Sequence, residues 1–266
     1  MSEVVNNIGK LFYKDYYKEV KFKDVIDGRE GKPVDINKPI KESKFLPIPK
    51  PEIPEAKDKN GLVCLKFRID YPGLITGVGL PHGCKKITGG YELGMHFDYT
   101  YGMPVVYGST VKGVLREYFE EFIKKPLTDL DDLIQDIFVG RTRNTTKDIY
   151  KDGKLDKKGY DNKSIYKRDI FFDAVITEPH NGKFLVDDFI TPHKNGPLKN
   201  PIPIPMLKIA PGCIIEFRFK LVDSGNFDIE AKKNLFKTIL ETVGIGAKTN
   251  VGYGQLTYIE DDNANS

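Results

Sequence analysis

A loop near the C-terminus combines the residue types that hold a phosphate. Four glycines between Gly244 and Gly254 surround a polar stretch, and the positions that could contact a ligand are Gly246, Lys248, Thr249 and Asn250. Because glycine loses more backbone freedom on folding than any other residue, the cluster predicts positive φ angles or a close approach to another group. A lysine beside hydrogen-bonding side chains makes a phosphate the expected group. The alternative, a helix C-cap at Gly244 followed by a turn, leaves the last two glycines unexplained.

The same loop does not match the P-loop of nucleotide-binding proteins. That motif needs glycine directly before its lysine and another five residues earlier. This chain has Ala247 and Thr242 at those positions. The loop also follows a predicted helix instead of opening one, and too few residues remain to complete a parallel sheet. We therefore exclude an NTPase.

A second glycine motif, residues 108–113, opens an amphipathic helix. Ser109 is predicted to cap this helix, which places Lys112 in a first turn where the helix dipole disfavours a cation. Gly113 costs ~1 kcal/mol relative to alanine inside a helix. A bound phosphate would explain both residues, and the candidate contacts are Ser109, Thr110, Lys112, Gly113 and Arg116. The alternative is a solvated lysine and a glycine required for packing.

Lysine dominates the basic residues of the chain. Of 41 basic residues 34 are lysine, and the net charge is +3. Lysine is a flexible point charge that suits phosphates, whereas the arginine fork suits base edges. The composition therefore favours contact with a nucleic-acid backbone, although a lysine-rich proteome would give the same skew. Further candidate contacts are Lys85, Lys86, Arg141 and Arg143.

Histidines are the candidates for catalysis. His96 and Asp98 lie two residues apart on a predicted strand, so they would share a face and could perform acid–base work on a ribose 2′-hydroxyl. His82 and His193 are further candidates, but four histidines without a recognisable acid–base pair favour structural roles. His82 and Cys84 are two potential metal ligands, which do not make a site. We expect no catalytic residue, metal or cofactor.

Composition indicates an ordinary globular protein. The chain has 266 residues with 39% hydrophobic side chains, enough for one large domain or two small ones. It contains no apolar run that could cross a bilayer, and its N-terminus lacks a signal-peptide core. Three scattered cysteines indicate free thiols in a reducing compartment. We expect a cytoplasmic protein with no membrane partner.

Hydrophobic periodicity predicts an α+β fold. Its main elements alternate as strand, helix, strand, strand, helix and strand, at 62–71, 110–123, 169–177, 213–222, 228–243 and 253–259. This βαββαβ order is that of the ferredoxin-like, or RRM-like, core. A strand at 91–101 and a helix at 128–139 are also expected. A true RRM is disfavoured because the chain lacks the glycine-punctuated RNP1 pattern.

The chain is predicted to divide into three parts. Residues 1–60 are polar and end in a proline ladder, which predicts an extended N-terminal arm. The ferredoxin-like domain is predicted at 61–260, with a charged, glycine-broken and mobile insertion at 140–167. Residues 261–266 are expected as a tail.

Several motifs together resemble the RAMP superfamily of CRISPR RNA-binding proteins. Besides the two glycine motifs, the matching stretches are 71–82 (YPGLITGVGLPH), 97–102 (FDYTYG), 171–174 (FFDA), 191–193 (TPH) and 200–205 (NPIPIP). Within this superfamily the chain is most similar to the Cmr-type subunits of the type III-B effector complex, the sixth in particular. The resemblance covers residues 61–258.

The resemblance implies a non-catalytic subunit of an antiviral ribonucleoprotein complex. Such a subunit holds guide RNA, meets target RNA and packs against other Cmr-type RAMP subunits, while a different subunit cleaves. The implied RNA contacts are those at the two glycine motifs, which a ferredoxin-like fold can bring together as one site. Some RAMP proteins are metal-independent endoribonucleases that process guide precursors, and this activity is the alternative. A structural subunit that binds no RNA by itself is a third interpretation.

Overall fold

An alternation of apolar and polar residues along Leu62–Ile69 predicts a strand with one buried face, and the computed structural model contains it. The buried face consists of Val63, Leu65, Phe67 and Ile69. The structure describes residues 4–5, 7–15, 18, 40, 44–45, 61–77, 91, 94–123, 130–191, 203–225 and 227–260.

The elements are numbered in chain order. The strands are β1 Val4–Val5, β2 Lys44–Phe45, β3 Leu62–Ile69, β4 Val105–Val106, β5 Arg141–Arg143, β6 Ile149–Lys151, β7 Lys154–Lys157, β8 Tyr160–Asn162, β9 Ile170–Phe171, β10 Ala174–Glu178, β11 Leu185–Ile190, β12 Ile204–Ile209, β13 Ile214–Lys220 and β14 Leu256–Tyr258. The α-helices are α1 Ile8–Tyr13, α2 Gly108–Glu117, α3 Phe119–Phe122, α4 Leu130–Ile134 and α5 Ile229–Val243. A π-helical segment, Gln135–Val139, continues α4.

The central sheet contains the strands predicted for the core. Its order is β14–β3–β13–β10–β4 with every neighbouring pair antiparallel, and β9 pairs with β13 on the same side as β10. The four predicted strands are therefore arranged as fourth, first, third and second, and the two-residue β4 extends one edge. The α+β class is confirmed.

Phenylalanine rings fill the space between the helices and one face of the sheet. Phe219 on β13 and Phe236 on α5 have ring centroids 5.4 Å apart, and Phe171 on β9 lies 5.9 Å from each. Phe119 of α3 and Phe138 of the π-helical segment extend this cluster, and their ring centroids are 5.1 Å apart. Because each aromatic side chain buries roughly 150–250 Å², these rings dominate the energetics of this part of the core.

A buried ion pair joins α5 to the strands. The ammonium of Lys232 donates to Asp169 Oδ2 at 2.6 Å, to the carbonyl oxygen of Val222 at 2.5 Å and to Ser224 Oγ at 2.8 Å. The other carboxylate oxygen of Asp169 accepts the amide hydrogen of Val222 at 2.7 Å. Burial raises the pKa of Asp169 and lowers that of Lys232, and their mutual attraction opposes both shifts. All three ammonium hydrogens have acceptors, so the pair is fully hydrogen-bonded.

The insertion at 140–167 has regular structure. It forms two short antiparallel pairs, β5 with β8 and β6 with β7. Arg143 joins Asp148 at 2.5 Å and Asp132 of α4 at 3.5 Å. Further ion pairs are Lys147–Asp161, Lys158–Asp132 and Lys163–Asp136. The segment predicted as a mobile insertion is thus tied to α4 and to the π-helical segment.

Three predicted elements have different bounds. The helix predicted at 110–123 is divided into α2 and α3 at Tyr118, where φ is −96° and ψ is 1°. The strand predicted at 169–177 is divided into β9 and β10. The strand predicted at 91–101 does not form among its described residues. A turn replaces it, because Asp98 Oδ1 accepts the amide hydrogens of Thr100 at 2.9 Å and Tyr101 at 2.6 Å.

Several elements of the structure were not predicted, among them a hairpin and a short helix. Strands β11 and β12 form a hairpin in which Pro205 stands opposite Phe189, and a proline in a sequence argues against a strand unless the strand lies at an edge. Helix α1 lies within the expected arm, yet its Ile8 and Phe12 are buried in the core. An extended arm is therefore the wrong description of residues 8–13. The proline ladder and the C-terminal tail lie outside the described residues.

Candidate nucleic-acid interface

The backbone of the C-terminal glycine loop has the conformation that its sequence predicts. Gly244, Gly246, Gly252 and Gly254 have φ values of 68°, 94°, 96° and 72°. Lys248 also lies in the left-handed region, with φ 61°, which is uncommon for a residue with a Cβ atom. Positive φ explains all four glycines, including the two that a helix C-cap leaves out.

Some of these glycines also lie against backbone. A Cβ atom on Gly246 would stand 2.3 Å from the carbonyl oxygen of Ile75, and one on Gly254 would stand 1.8 Å from another carbonyl oxygen of the loop. The amides of Ala247 and Gly254 donate to Ile75 O at 2.9 Å and to Gly73 O at 2.8 Å. The close approach expected of a ligand is thus made by the segment that follows β3.

The polar residues of the loop form its outer side. Lys248 and Asn250 are exposed, and Thr249 is half-buried. Within the described residues Lys248 has no carboxylate partner, and the backbone amides of these three residues have no backbone acceptor. One cation and three amides are therefore available to a ligand, as binding of a phosphate requires.

Exposed apolar side chains flank the loop, and sequence reasoning did not select them. Tyr71 is 84% exposed and Val251 is 62% exposed. The ring of Pro72 lies 3.7 Å from the position that a Cβ atom of Gly252 would take, so Tyr71 adjoins the loop. Exposed aromatic rings beside a cation are the common platform for RNA bases. The available signal was a tyrosine directly after a strand and before a proline.

A hydrogen-bonded network fastens the loop to the hairpin of β11 and β12. The hydroxyl of Tyr253 donates to Asp188 Oδ2 at 2.7 Å, and Lys208 Nζ donates to the same oxygen at 2.5 Å. Burial, together with the bond to Asp188, raises the pKa of Tyr253 to about 12. Burial also acts to raise the pKa of Asp188, but the bonds from Lys208 and Tyr253 outweigh it and the pKa is lowered. The ionised carboxylate holds both partners and positions the loop.

The start of α2 differs from its prediction. The helix begins at Gly108, and Tyr107 occupies the N-cap position that Ser109 was expected to take. Asp173 Oδ1 accepts the amide hydrogen of Gly108 at 2.7 Å, and the amide of Thr110 donates to Tyr107 O at 2.8 Å. Ser109 as N-cap is therefore wrong, because a carboxylate far along the chain caps the helix. That carboxylate also takes an amide that a phosphate was expected to use.

The basic residues of α2 remain accessible. Lys112 is half-buried, with Nζ 5.9 Å from the centroid of the Phe171 ring. Ser109 and Arg116 are exposed, and Gly113 is exposed with nothing described within 4 Å of an added Cβ atom. Packing within the described residues therefore does not require glycine at 113.

The structure does not bring the two glycine motifs together. The C-terminal loop leads into β14 at one edge of the sheet, and α2 follows β4 at the other. With strands about 4.8 Å apart, four spacings separate these edges by roughly 19 Å. The motifs also lie toward opposite ends of β13. Phe171, which lies beside α2, pairs with Phe219 near the end of β13. Ile69, which precedes the segment that contacts the C-terminal loop, donates its amide hydrogen to the carbonyl oxygen of Cys213, directly before β13. They are two separate surfaces.

The other residues predicted to contact RNA have different environments in the structure. Arg143 is engaged by Asp148, and the hydrogen bond between them raises its pKa. It therefore has a structural role within the insertion. Arg141 is exposed on β5. Lys85 and Lys86 lie outside the described residues.

His96 and Asp98 do not form an acid–base pair. The ring of His96 stacks on Tyr107 with centroids 4.4 Å apart, and its Nδ1 is buried without a hydrogen-bond partner in the described part of the chain. Asp98 directs its carboxylate to the turn at Thr100 and Tyr101. His82 and His193 lie outside the described residues.

The described residues contain no group of three or more metal-ligating side chains that could hold an ion. In the same residues no helix has the length and apolar character to cross a bilayer. Cys213 is a buried free thiol.

Two solved structures contain chains that are similar to this one. A cryo-EM structure of the type III-B Cmr-beta bound to cognate target RNA contains a similar chain, with a TM-score of 0.50 and 24% identity over 75% of this chain and 58% of that one. A crystal structure of Cmr6 from Pyrococcus furiosus is matched with a TM-score of 0.40 and 18% identity, over 74% of this chain and 98% of that one. No curated protein is matched.

The family is settled by sequence. The sequence model of the RAMP superfamily matches residues 66–257, which include most of the central sheet, α2, α5 and both glycine motifs. The predicted resemblance is confirmed, and the chain belongs to the RAMP superfamily.

Proposed function

We propose that the protein is a non-catalytic, RNA-binding subunit of a type III-B (Cmr) CRISPR ribonucleoprotein complex in antiviral defence. Its partners are guide RNA, target RNA and other Cmr-type RAMP subunits. Membership of the RAMP superfamily and likeness to a Cmr-beta chain in an RNA-bound structure support this function. The strand order fourth, first, third and second supports a ferredoxin-like core.

One observation carries the proposal. The outer side of the C-terminal glycine loop presents Lys248, the exposed Asn250 and three backbone amides, held in place by bonds to the segment after β3. These groups recognise phosphate oxygens and carry no information about base identity. We therefore expect the RNA backbone to lie along this loop.

The test is a salt titration of RNA binding. Fluorescence anisotropy of a labelled single-stranded RNA with the full chain should show an affinity that falls steeply as salt rises. Lys248→Ala should weaken binding and make the slope of log K against log salt shallower by about 0.7, since one phosphate contact is lost. Lys233→Ala on α5 is the matched control, because Lys233 pairs with Glu230 more than two helical turns before the loop.

Three outcomes would contradict the proposal. An affinity that does not change with salt excludes contact dominated by phosphates. Absence of RNA binding by the wild-type chain supports a purely structural subunit. Discrete cleavage of labelled repeat RNA that His96→Ala abolishes would assign an endoribonuclease instead.

A further inference from the structure

An open cleft lies beside the start of α2. Its volume is about 540 Å³, and its described lining consists of Leu62, Phe171, Phe172, Asp173 and Arg218. The backbone of Phe172 donates to the carbonyl oxygen of Arg218 at 3.1 Å, so these side chains come from adjacent strands. A volume in this range accommodates a small ligand such as one nucleoside.

The lining combines an aromatic surface with groups that can read a base edge. Phe172 is 42% exposed, although most phenylalanines of this core are buried. Arg218 binds Glu216 through Nε at 2.5 Å, and its terminal nitrogens have no partner among the described residues. Asp173 uses Oδ1 to cap α2, and its Oδ2 has no partner in the same part of the chain. The cleft therefore offers a stacking surface, a hydrogen-bond donor and an acceptor.

Guanine is the base that matches these groups. Its Watson–Crick edge carries adjacent N–H donors for the carboxylate of Asp173, whose Oδ1 can accept a second hydrogen bond beside that from Gly108, and its O6 atom accepts from an arginine. Uracil presents a single N–H donor on that edge and matches the carboxylate less well. Stacking on an aromatic ring accepts any base, so Asp173 and Arg218 would provide the selectivity.

We propose that this cleft receives one unstacked guanine of the bound RNA, with the guanine ring on Phe172 and its edge at Asp173 and Arg218. The inference rests on the proposed function and adds one base-specific position to a complex otherwise held by the backbone.

The test compares oligouridine that contains one central guanosine with the same oligonucleotide containing uridine there. The full chain should bind the guanosine oligonucleotide about tenfold more tightly. Phe172→Ala should lower the affinity for the guanosine oligonucleotide about tenfold and change the affinity for the all-uridine oligonucleotide little. Asp173→Asn retains an oxygen that can accept the Gly108 amide, and should abolish the preference for guanosine. Lys248→Ala should lower the affinity for both oligonucleotides equally.

Each contrary result has a separate meaning. Equal affinity for both oligonucleotides, still lowered by Lys248→Ala, overturns the guanine site and leaves the proposed function intact. No binding of either oligonucleotide overturns the proposed function itself. If Phe172→Ala folds, keeps full RNA affinity and no longer joins other Cmr-type RAMP subunits, the cleft is a protein contact and the inference is wrong. Thermal unfolding of each variant verifies the fold.

Discussion

The side chain of Lys232 is enclosed by groups of its own chain, and no surface of its ammonium reaches solvent. Removing one member of a buried ion pair leaves an uncompensated charge, which is more costly than removing both members. Lys232→Met should therefore lower the free energy of unfolding by about 3–5 kcal/mol. The double variant, which adds Asp169→Leu, leaves no buried charge. Its loss of unfolding free energy should therefore be smaller than the sum of the losses in the two single variants.

Urea denaturation of the wild type, the two single variants and the double variant measures this coupling. Lys233→Ala, at the next position of α5, is the control and should change stability little, since its pair with Glu230 is exposed. Strict additivity of the two buried substitutions would show that the pair does not act as a unit.

At the scale of single residues, local chemistry was predictable and distant partners were not. The glycine content predicts the positive φ angles of Gly246 and Gly252, because that rule depends on the residue itself. The carbonyl oxygen of Ile75 against which Gly246 packs is distant in sequence, and so is the Asp173 carboxylate that replaces Ser109 as cap. No local pattern encodes such contacts.

At the scale of elements, the insertion at 140–167 depends on its carboxylates. The hydrogen bond from Arg143, with one from the amide of Gly159, lowers the pKa of Asp148, and the bond from Lys147 lowers that of Asp161. A carboxylate whose pKa is lower in the folded chain contributes stability above its unfolded pKa. This contribution begins to be lost below the unfolded pKa and is gone once the pH has fallen through the lower pKa of the folded chain. The insertion should therefore open below about pH 4.

Hydrogen exchange measured by mass spectrometry tests this expectation. After correction for intrinsic rates, peptides from β5 and β8 should lose protection in acid before peptides from β3 and β13. Asp148→Asn should weaken the insertion at neutral pH and reduce its response to acid. An identical acid response in that variant would exclude the Asp148 carboxylate as the cause.

Helices and strands with strong periodicity were predicted well, and elements with mixed signals were not. Helix α5 begins one residue after the position expected for its start, with Asp228 as its N-cap. The predicted strand at 91–101 failed because the Asp98 turn competes with strand pairing. Strand β12 was missed because it contains Pro205, which an edge position tolerates.

At the scale of the whole molecule, the two glycine motifs lie roughly 19 Å apart across the sheet. Substitutions more than about 10 Å apart without shared partners have additive free energies to within about 0.5 kcal/mol. The losses of RNA-binding free energy caused by Lys112→Ala and Lys248→Ala should therefore add in the double variant. Anisotropy titrations at one salt concentration measure this, and a coupling above about 1 kcal/mol would show that both lysines bind the same phosphate.

The order of the elements was predictable, because each has its own hydrophobic period. The separation of the motifs was not, because it depends on β4. That two-residue strand pairs with β10 and moves the start of α2 to the outer edge of the sheet. Two residues carry too little pattern to be recognised as a strand.

The internal hydrogen bonds of the C-terminal loop have a consequence for how it meets a ligand. The bonds from Ala247 and Gly254 to the segment after β3, and the Tyr253–Asp188–Lys208 network, give the loop its shape in the free chain. Binding there requires no disorder-to-order transition, so little entropy is lost in the protein and encounter is limited by orientation more than by rearrangement. If the proposed function is correct, a rigid template of this kind selects for the geometry of a sugar–phosphate chain and imposes that geometry on the bound RNA.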